Sequence, residues 1–282
     1  MTNQTLLSIV DREGSDQLLH HLQEVGQEDN KSRAAKSSTC NLPKFYWIFK
    51  DMDFERWQST KAGDAEVLWL SGPPGRDISG AASHVVDQAK KTYSGAQHSV
   101  MYFFCATTPT EIPVATAFAC TIVCQLASCS LKLKETVATM FLQTLLDEVL
   151  RDESRPYAKE SLFNVGDSVE VVVKNILKES SSGACWSALK AVVDSEPEQG
   201  LSIIIDGLHK AGHQDYKFVR ELDQFIDHLR ERPSSSTTKV LLTSGPQAEV
   251  KGILGRLPCI EYDRERKGLI CLISCSPDEE AY

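Results

Sequence analysis

The sequence lacks long apolar runs, a basic leader with an apolar core, a surplus of positive charge, any CxxC pair and any internal repeat, and each absence removes a class of protein. Its least polar long stretch, residues 113–127, carries Thr and Gln and falls short of the ~20 apolar residues a membrane helix needs. Residues 1–11 do not show a charged segment followed by an apolar one, so a secretory leader is not expected. The expectation is a cytoplasmic protein with no membrane partner. Lys and Arg number 30 against 39 Asp and Glu, for a net charge of -9, and that balance argues against a nucleic-acid partner. The nine cysteines, mostly inside apolar segments, read as buried thiols of a reducing compartment. Cys120 and Cys124 would share a helix face as half of a metal site, but no His or Asp cluster nearby in sequence completes it.

What is present is an ordinary globular composition, 41% hydrophobic over 282 residues, enough for one large α/β domain with a small helical extension in front. Residues 1–39 read as that extension and a linker: Leu6, Leu7, Ile9, Val10, Leu18, Leu19, Leu22 and Val25 have helical spacing, and 27–39 is polar. The segment 40–61 is rich in aromatics (Phe45, Tyr46, Trp47, Phe49, Phe54, Trp57), which favours packing against a core over stacking on a base. From Glu66 onward, short runs at 67–70, 100–104, 201–205, 240–242 and 259–262 predict strands, and the stretches between them predict helices. The strongest helix is 215–230, where Val219, Leu222, Phe225, Ile226 and Leu229 recur at helical spacing; 113–128, 131–151, 168–179 and 184–193 follow. Pro156 and the stretches 180–183 and 233–236 mark loops. The run 269–273 is a further strand or an edge element, and periodicity does not choose. The main domain is therefore 40–262, with 263–282 as a tail, and the pattern implies a parallel sheet covered on both faces.

The segment VLWLSGPPGRDISG over 67–80 runs from a strand through a Gly-rich turn into a helix, the context of a phosphate-binding loop. Such a loop, GxxxxGK followed by Ser or Thr, needs its second Gly for close backbone approach to phosphate and its Lys to reach the β and γ oxygens. Those two positions hold Asp77 and Ile78. A register beginning at Gly75 and ending at Gly80 fails too, because Ala81 and Ala82 follow. Loss of the Lys alone would weaken nucleotide binding roughly ten- to hundredfold, and the Asp77 carboxylate adds repulsion. The remnant of the site is Gly72, Pro74, Gly75, Arg76 and Ser79, with Ser79 able either to bind Mg2+ or merely to cap the helix.

A second segment, LSIIIDGLHK over 201–210, is an apolar strand ending in an acid. Asp206 either helps hold Mg2+ with Ser79, as the acid of a Walker B strand, or caps a turn. Where a second acid would polarise attacking water stand His209 and Lys210, and His209 reads as a solvated loop side chain. The third segment, KVLLTSGP over 239–246, ends in small polar residues that either sense a γ-phosphate or, the reading preferred, simply precede a Pro-initiated helix.

Taken together, these residues resemble the fungal NACHT-type signalling NTPases that carry a nephrocystin-3-like N-terminal domain. The features that carry the resemblance are Trp47-Ile48, Phe54 with Trp57, Leu68 to Gly72 with Pro74-Gly75, the Phe103-Phe104 strand, Ile203 to Leu208 and Leu241 to Pro246, over most of the chain. The resemblance implies a three-layer α/β fold: a P-loop NTPase-like parallel sheet of about five strands with helices on both faces. It also implies a nucleotide held between the phosphate loop and the Walker B acid, working as a switch. The departures at Asp77, Ile78, His209, Lys210 and Gly245 fall on the positions that do the chemistry. The expectation is thus a pseudo-NTPase that binds proteins, intact NACHT relatives among them, or signals without efficient hydrolysis, with no cofactor and no catalytic residue. The alternative is a weak NTPase with a non-standard phosphate loop, which would take Mg-ATP or Mg-GTP on Arg76, Ser79 and Asp206.

Overall fold

A computed structural model describes residues 19–24, 48–61, 65–73, 78–94, 98–105, 112–129, 131–151, 169–195, 198–213, 216–232 and 237–261. Most of 1–39, the aromatics Phe45, Tyr46 and Trp47, the loop residues 74–77, the run 269–273 and the tail lie outside the described residues.

Five strands form one sheet: β1 (Ala65–Ser71), β2 (His98–Phe104), β3 (Gly200–Asp206), β4 (Thr238–Ser244) and β5 (Cys259–Glu261). All neighbours pair in parallel, in the order β2-β3-β4-β1-β5. Each strand overlaps one of the five runs read from the sequence. β3 and β4 are buried at every residue, as strands covered on both faces must be. Alternate residues supply two separate cores. Leu68, Leu70, Ile204, Leu241 and Ile260 face one side, while Val67, Trp69, Ile203, Ile205, Val240 and Leu242 face the other.

The smaller core is closed by α1 (Met52–Gln58) and α2 (Ile78–Thr92). The larger is closed by α3 (Val114–Ala127), α4 (Leu131–Arg151), α5 (Val169–Glu179), α6 (Ser182–Asp194), α7 (Lys217–Glu231) and α8 (Ala248–Leu254). The strand order explains this division. From β1 the chain crosses to β2 in one direction along the sheet; every later crossover runs in the opposite direction. Right-handed crossovers then put α2 on one face and α3 through α8 on the other.

Local chemistry fixes the ends of these elements. In α1 the Asp51 carboxylate accepts from the Asp53 amide at 3.0 Å, and the buried Phe54 and Trp57 turn inward, with Trp57 Nε1 donating to the Val240 carbonyl at 3.0 Å. Phe49 and Phe54 meet edge to face at 5.0 Å, so the described half of the aromatic segment packs as its composition suggested. In α7, Phe218, Val219, Leu222, Phe225, Ile226 and Leu229 form the buried stripe, and the helix itself starts at Lys217, two residues later than the spacing alone implied. Phe118 on α3 lies at the centre of the larger core, within 5.3–6.5 Å of the rings of Phe103, Trp186, Phe218 and Phe225. One expectation needs correction: 180–183 is not all loop. The Ser181 hydroxyl accepts from the Ala184 amide at 3.1 Å and starts α6 at Ser182, because a Ser-rich stretch supplies an N-cap as readily as a turn.

Candidate functional site

The carboxyl ends of β1, β3 and β4 lie side by side where the direction of winding reverses, the place where open α/β sheets form a cleft. Parallel register makes the neighbours. Ile205 pairs with Leu242, so one step further along Asp206 meets Thr243, and Ser71 pairs with Ser244 across the β1–β4 edge.

Asp206 is 2% exposed and fully engaged. The Thr243 hydroxyl donates to Oδ1 at 2.5 Å, and the Ser79 hydroxyl, from the first turn of α2, donates to Oδ2 at 2.7 Å. Lys210 completes the group. Its ammonium lies 3.4 Å from Ser79 Oγ, to which it donates, and 3.7 Å from Asp206 Oδ2. The chain reaches this position by turning back sharply: Gly207 has φ 77° and a short 3-10 turn (Leu208–His213) follows. A side chain on Gly207 would be strained by that φ, and its Cβ would stand 3.0 Å from Lys210 Cδ. The Gly207 amide donates to both the Thr243 carbonyl (3.1 Å) and its hydroxyl (3.0 Å), tying the turn to β4.

A second tie crosses the top of β4. The Gly245 amide donates to His209 Nδ1 at 2.8 Å, which makes Nδ1 the acceptor and places the ring proton on Nε2. Burial, and secondarily the Lys210 charge, lower the His209 pKa, in keeping with a neutral ring. Trp69 Nε1 donates to Ser244 Oγ at 2.9 Å, and the Gly72 amide donates to the Ser244 carbonyl at 3.2 Å, joining the start of the phosphate-loop segment to β4.

The sequence-derived residues fare differently. Ser79 and Asp206, drawn from segments 127 positions apart, are in direct contact, and Gly72 lies at the end of β1 beside them. Pro74, Gly75 and Arg76 lie outside the described residues. Ile78, where a phosphate-loop Lys would stand, packs against the smaller hydrophobic core. Two readings are corrected. His209 is a half-buried acceptor for a backbone amide, not a solvated side chain. Thr243 does more than end a strand ahead of a Pro-initiated helix: it grips Asp206, and α8 begins at Ala248, two residues past Pro246. Lys210 was read from the sequence only as a missing acid; the signal that it partners Asp206 was its i+4 spacing from that residue.

The cysteine pair lies within the larger core. Burial pushes the Cys120 thiol well up and the Cys124 thiol up to about 12, which keeps both protonated, and no His, Asp or Glu joins them among the described residues. Fit of Mg2+ to Ser79 and Asp206 can be judged from the contacts. Both oxygens point toward one another at a ligand-like spacing, yet the Ser79 proton is spent on Asp206 and the ammonium of Lys210 lies against both. As arranged, the group is self-neutralised and does not fit a divalent ion.

Residues 44–173 match the family model described as Nephrocystin 3, N-terminal. Over that span the chain is nephrocystin-3-like. The vegetative incompatibility protein HET-E-1 of Podospora anserina is 26% identical over 126 residues, covering 39% of this chain and 9% of that protein. The chain therefore spans about a tenth of that relative's length. Both matches agree with the resemblance to NACHT-type proteins carrying a nephrocystin-3-like N-terminal domain, and the five-stranded parallel sheet agrees with a P-loop NTPase-like α/β fold. The family match runs from α1 through β1, α2, β2, α3 and α4 into the start of α5, and stops short of the strands that bear Asp206 and Thr243. No helix among the described residues is long and apolar enough to cross a membrane.

Proposed function

We propose that this NACHT-like chain is a pseudo-NTPase, acting as a protein-binding or signalling module of the cytoplasm without efficient nucleotide hydrolysis. The observation that carries this reading is the fate of the two positions that should handle phosphate and water. Ile78 replaces the phosphate-gripping Lys and packs against an apolar core. Lys210 replaces an acid and neutralises Asp206. Neither can be recruited by a small rotation, because one is held by packing and the other by a buried carboxylate. With no catalytic base left beside Asp206, and a His209 whose Nδ1 already accepts a backbone proton, activation of an attacking water has no candidate among the described residues. Surface recognition of other proteins, intact NACHT relatives included, is then the activity open to the fold.

The test is calorimetric titration of the purified chain with Mg-ATP and Mg-GTP, followed by a turnover assay. The expected result is no turnover above background and binding at least tenfold weaker than that of a variant carrying Asp77→Gly with Ile78→Lys. Tight binding by the natural chain, with turnover abolished by Asp206→Ala, would overturn the reading and establish the weak NTPase instead.

A further inference from the structure

Three polar atoms from three elements meet at the top of the sheet: Ser79 Oγ, Asp206 Oδ2 and Lys210 Nζ, with separations of 2.7, 3.4 and 3.7 Å. The first two are the oxygens that the phosphate-loop and Walker B readings of the sequence offered to Mg2+. Adjacent ligands of an octahedral Mg2+ with bonds of 2.0–2.1 Å lie roughly 2.9 Å apart, close to the spacing seen here. The place for the ion is therefore shaped, but another cation holds it. We propose that the Lys210 ammonium is a built-in counter-ion standing in the place of a divalent metal between Ser79 and Asp206, so that the cleft is closed to Mg2+ as it stands.

Geometry and charge both support this. An ion bonded to the two oxygens on the side of Lys210 would lie roughly 2 Å from Nζ, far inside contact distance. On the opposite side an ion would compete with the hydrogen bonds that Asp206 already accepts, from Thr243 on Oδ1 and from Ser79 on Oδ2. Asp206 brings one negative charge and Lys210 one positive charge, so nothing is left to draw a hard cation out of water. The backbone is built for the return of this one side chain. Gly207 adopts a left-handed φ, and the space where its Cβ would be is taken by the Lys210 stem, within 3.0–3.2 Å of Cδ, Cε and Nζ.

The proposal concerns metal and stands apart from the pseudo-NTPase reading, which concerns turnover. It is tested on the full chain, isotopically labelled and free of nucleotide, by adding Mn2+ and following paramagnetic broadening of the Gly207 and Thr243 amide signals. The natural chain is expected to show no more broadening there than at remote amides. Lys210→Met and Lys210→Gln are each expected to broaden these two signals several-fold more than remote ones, and adding Asp206→Asn to either should remove the effect. Two results would overturn the proposal: selective broadening in the natural chain that Asp206→Asn abolishes, or none in a folded Lys210 variant. The Gln variant keeps much of the stem and serves if the Met variant does not fold. Because no nucleotide is present, a failure here leaves the titration with Mg-ATP and Mg-GTP untouched, and the reverse holds too.

Discussion

Replacing Lys210 with Met removes the charge while leaving most of the stem, and the cost can be worked from the contacts. At 3.7 Å, with the effective dielectric of about 20 suited to partly buried pairs, the Coulomb attraction of Lys210 for Asp206 is about 4 kcal/mol. The net value is smaller. The Lys210 side chain is 23% exposed, so water recovers part of that energy, and Asp206 keeps its two hydroxyl donors after the substitution. Breaking fully buried pairs costs about 3–5 kcal/mol, and these two discounts bring the expectation to about 2 kcal/mol. For a domain of this size that corresponds to a fall of about 4–8 °C in Tm. The assay is urea unfolding at neutral pH on the natural chain, Lys210→Met, Asp206→Asn and the double variant. If the pair is what holds the turn, the double variant recovers much of the loss, with a coupling of about 1–2 kcal/mol. A single variant within about 0.5 kcal/mol of the natural chain, or a cycle that closes additively, would refute the electrostatic account of this cleft.

Two further outcomes follow from residues around the sheet. His98 stacks on Tyr93 at 3.8 Å, with Nε2 2.8 Å from Ser202 Oγ, and burial, aided by the Lys239 charge, lowers its pKa from 6.5 to about 4. The folded state therefore holds the ring neutral while the unfolded chain takes up a proton below pH 6.5. Its contribution to stability is complete above that pH and fades as pH falls toward 4. Between pH 7 and 5 the natural chain should lose about 1 kcal/mol more than His98→Asn in urea melts, after discounting for the ring's partial exposure; equal losses would show that His98 titrates normally. Gly207→Ala should cost about 1–2 kcal/mol for the left-handed backbone alone, with a further loss from displacing Lys210. That second loss should vanish in a Lys210→Ala background, where the double variant then costs less than the sum of the singles.

The fold was legible because its strands are apolar runs with little else competing for the same residues. β3 and β4, buried on both faces, carry unbroken apolar runs at their centres, Ile203–Ile205 and Val240–Leu242. The start of α6 was misjudged because Ser and Gly favour turns and helix caps alike; only the bond from the Ala184 amide to the Ser181 hydroxyl decides between them. In the cleft, Ser79 and Asp206 stood out because each sits in a recognisable segment. Thr243 was visible only as one of the small polar residues ending a strand, since its bond to Asp206 depends on a parallel register that places it opposite that residue, and register is not written within either strand. His209 and Lys210 were visible only as missing acids. What they do instead depends on the direction the chain takes after β3, which a single left-handed glycine sets.

That turn also bears on how such a module can be regulated. A nucleotide-driven switch works because the ligand interacts more favourably with one conformation than with another, and most of that difference comes from phosphate and metal charges seeking partners in the cleft. Here Asp206 already has Ser79, Thr243 and Lys210, and the ends of β1, β3 and β4 are tied together through Gly72, Ser244, Gly245 and His209. A ligand entering this cleft would have to break those contacts before gaining its own, so its differential affinity for an altered state is small. Partners that bind the surface face no such cost. On these grounds the cleft is a tied junction, with α2 held to the sheet through the bond from Ser79 to Asp206.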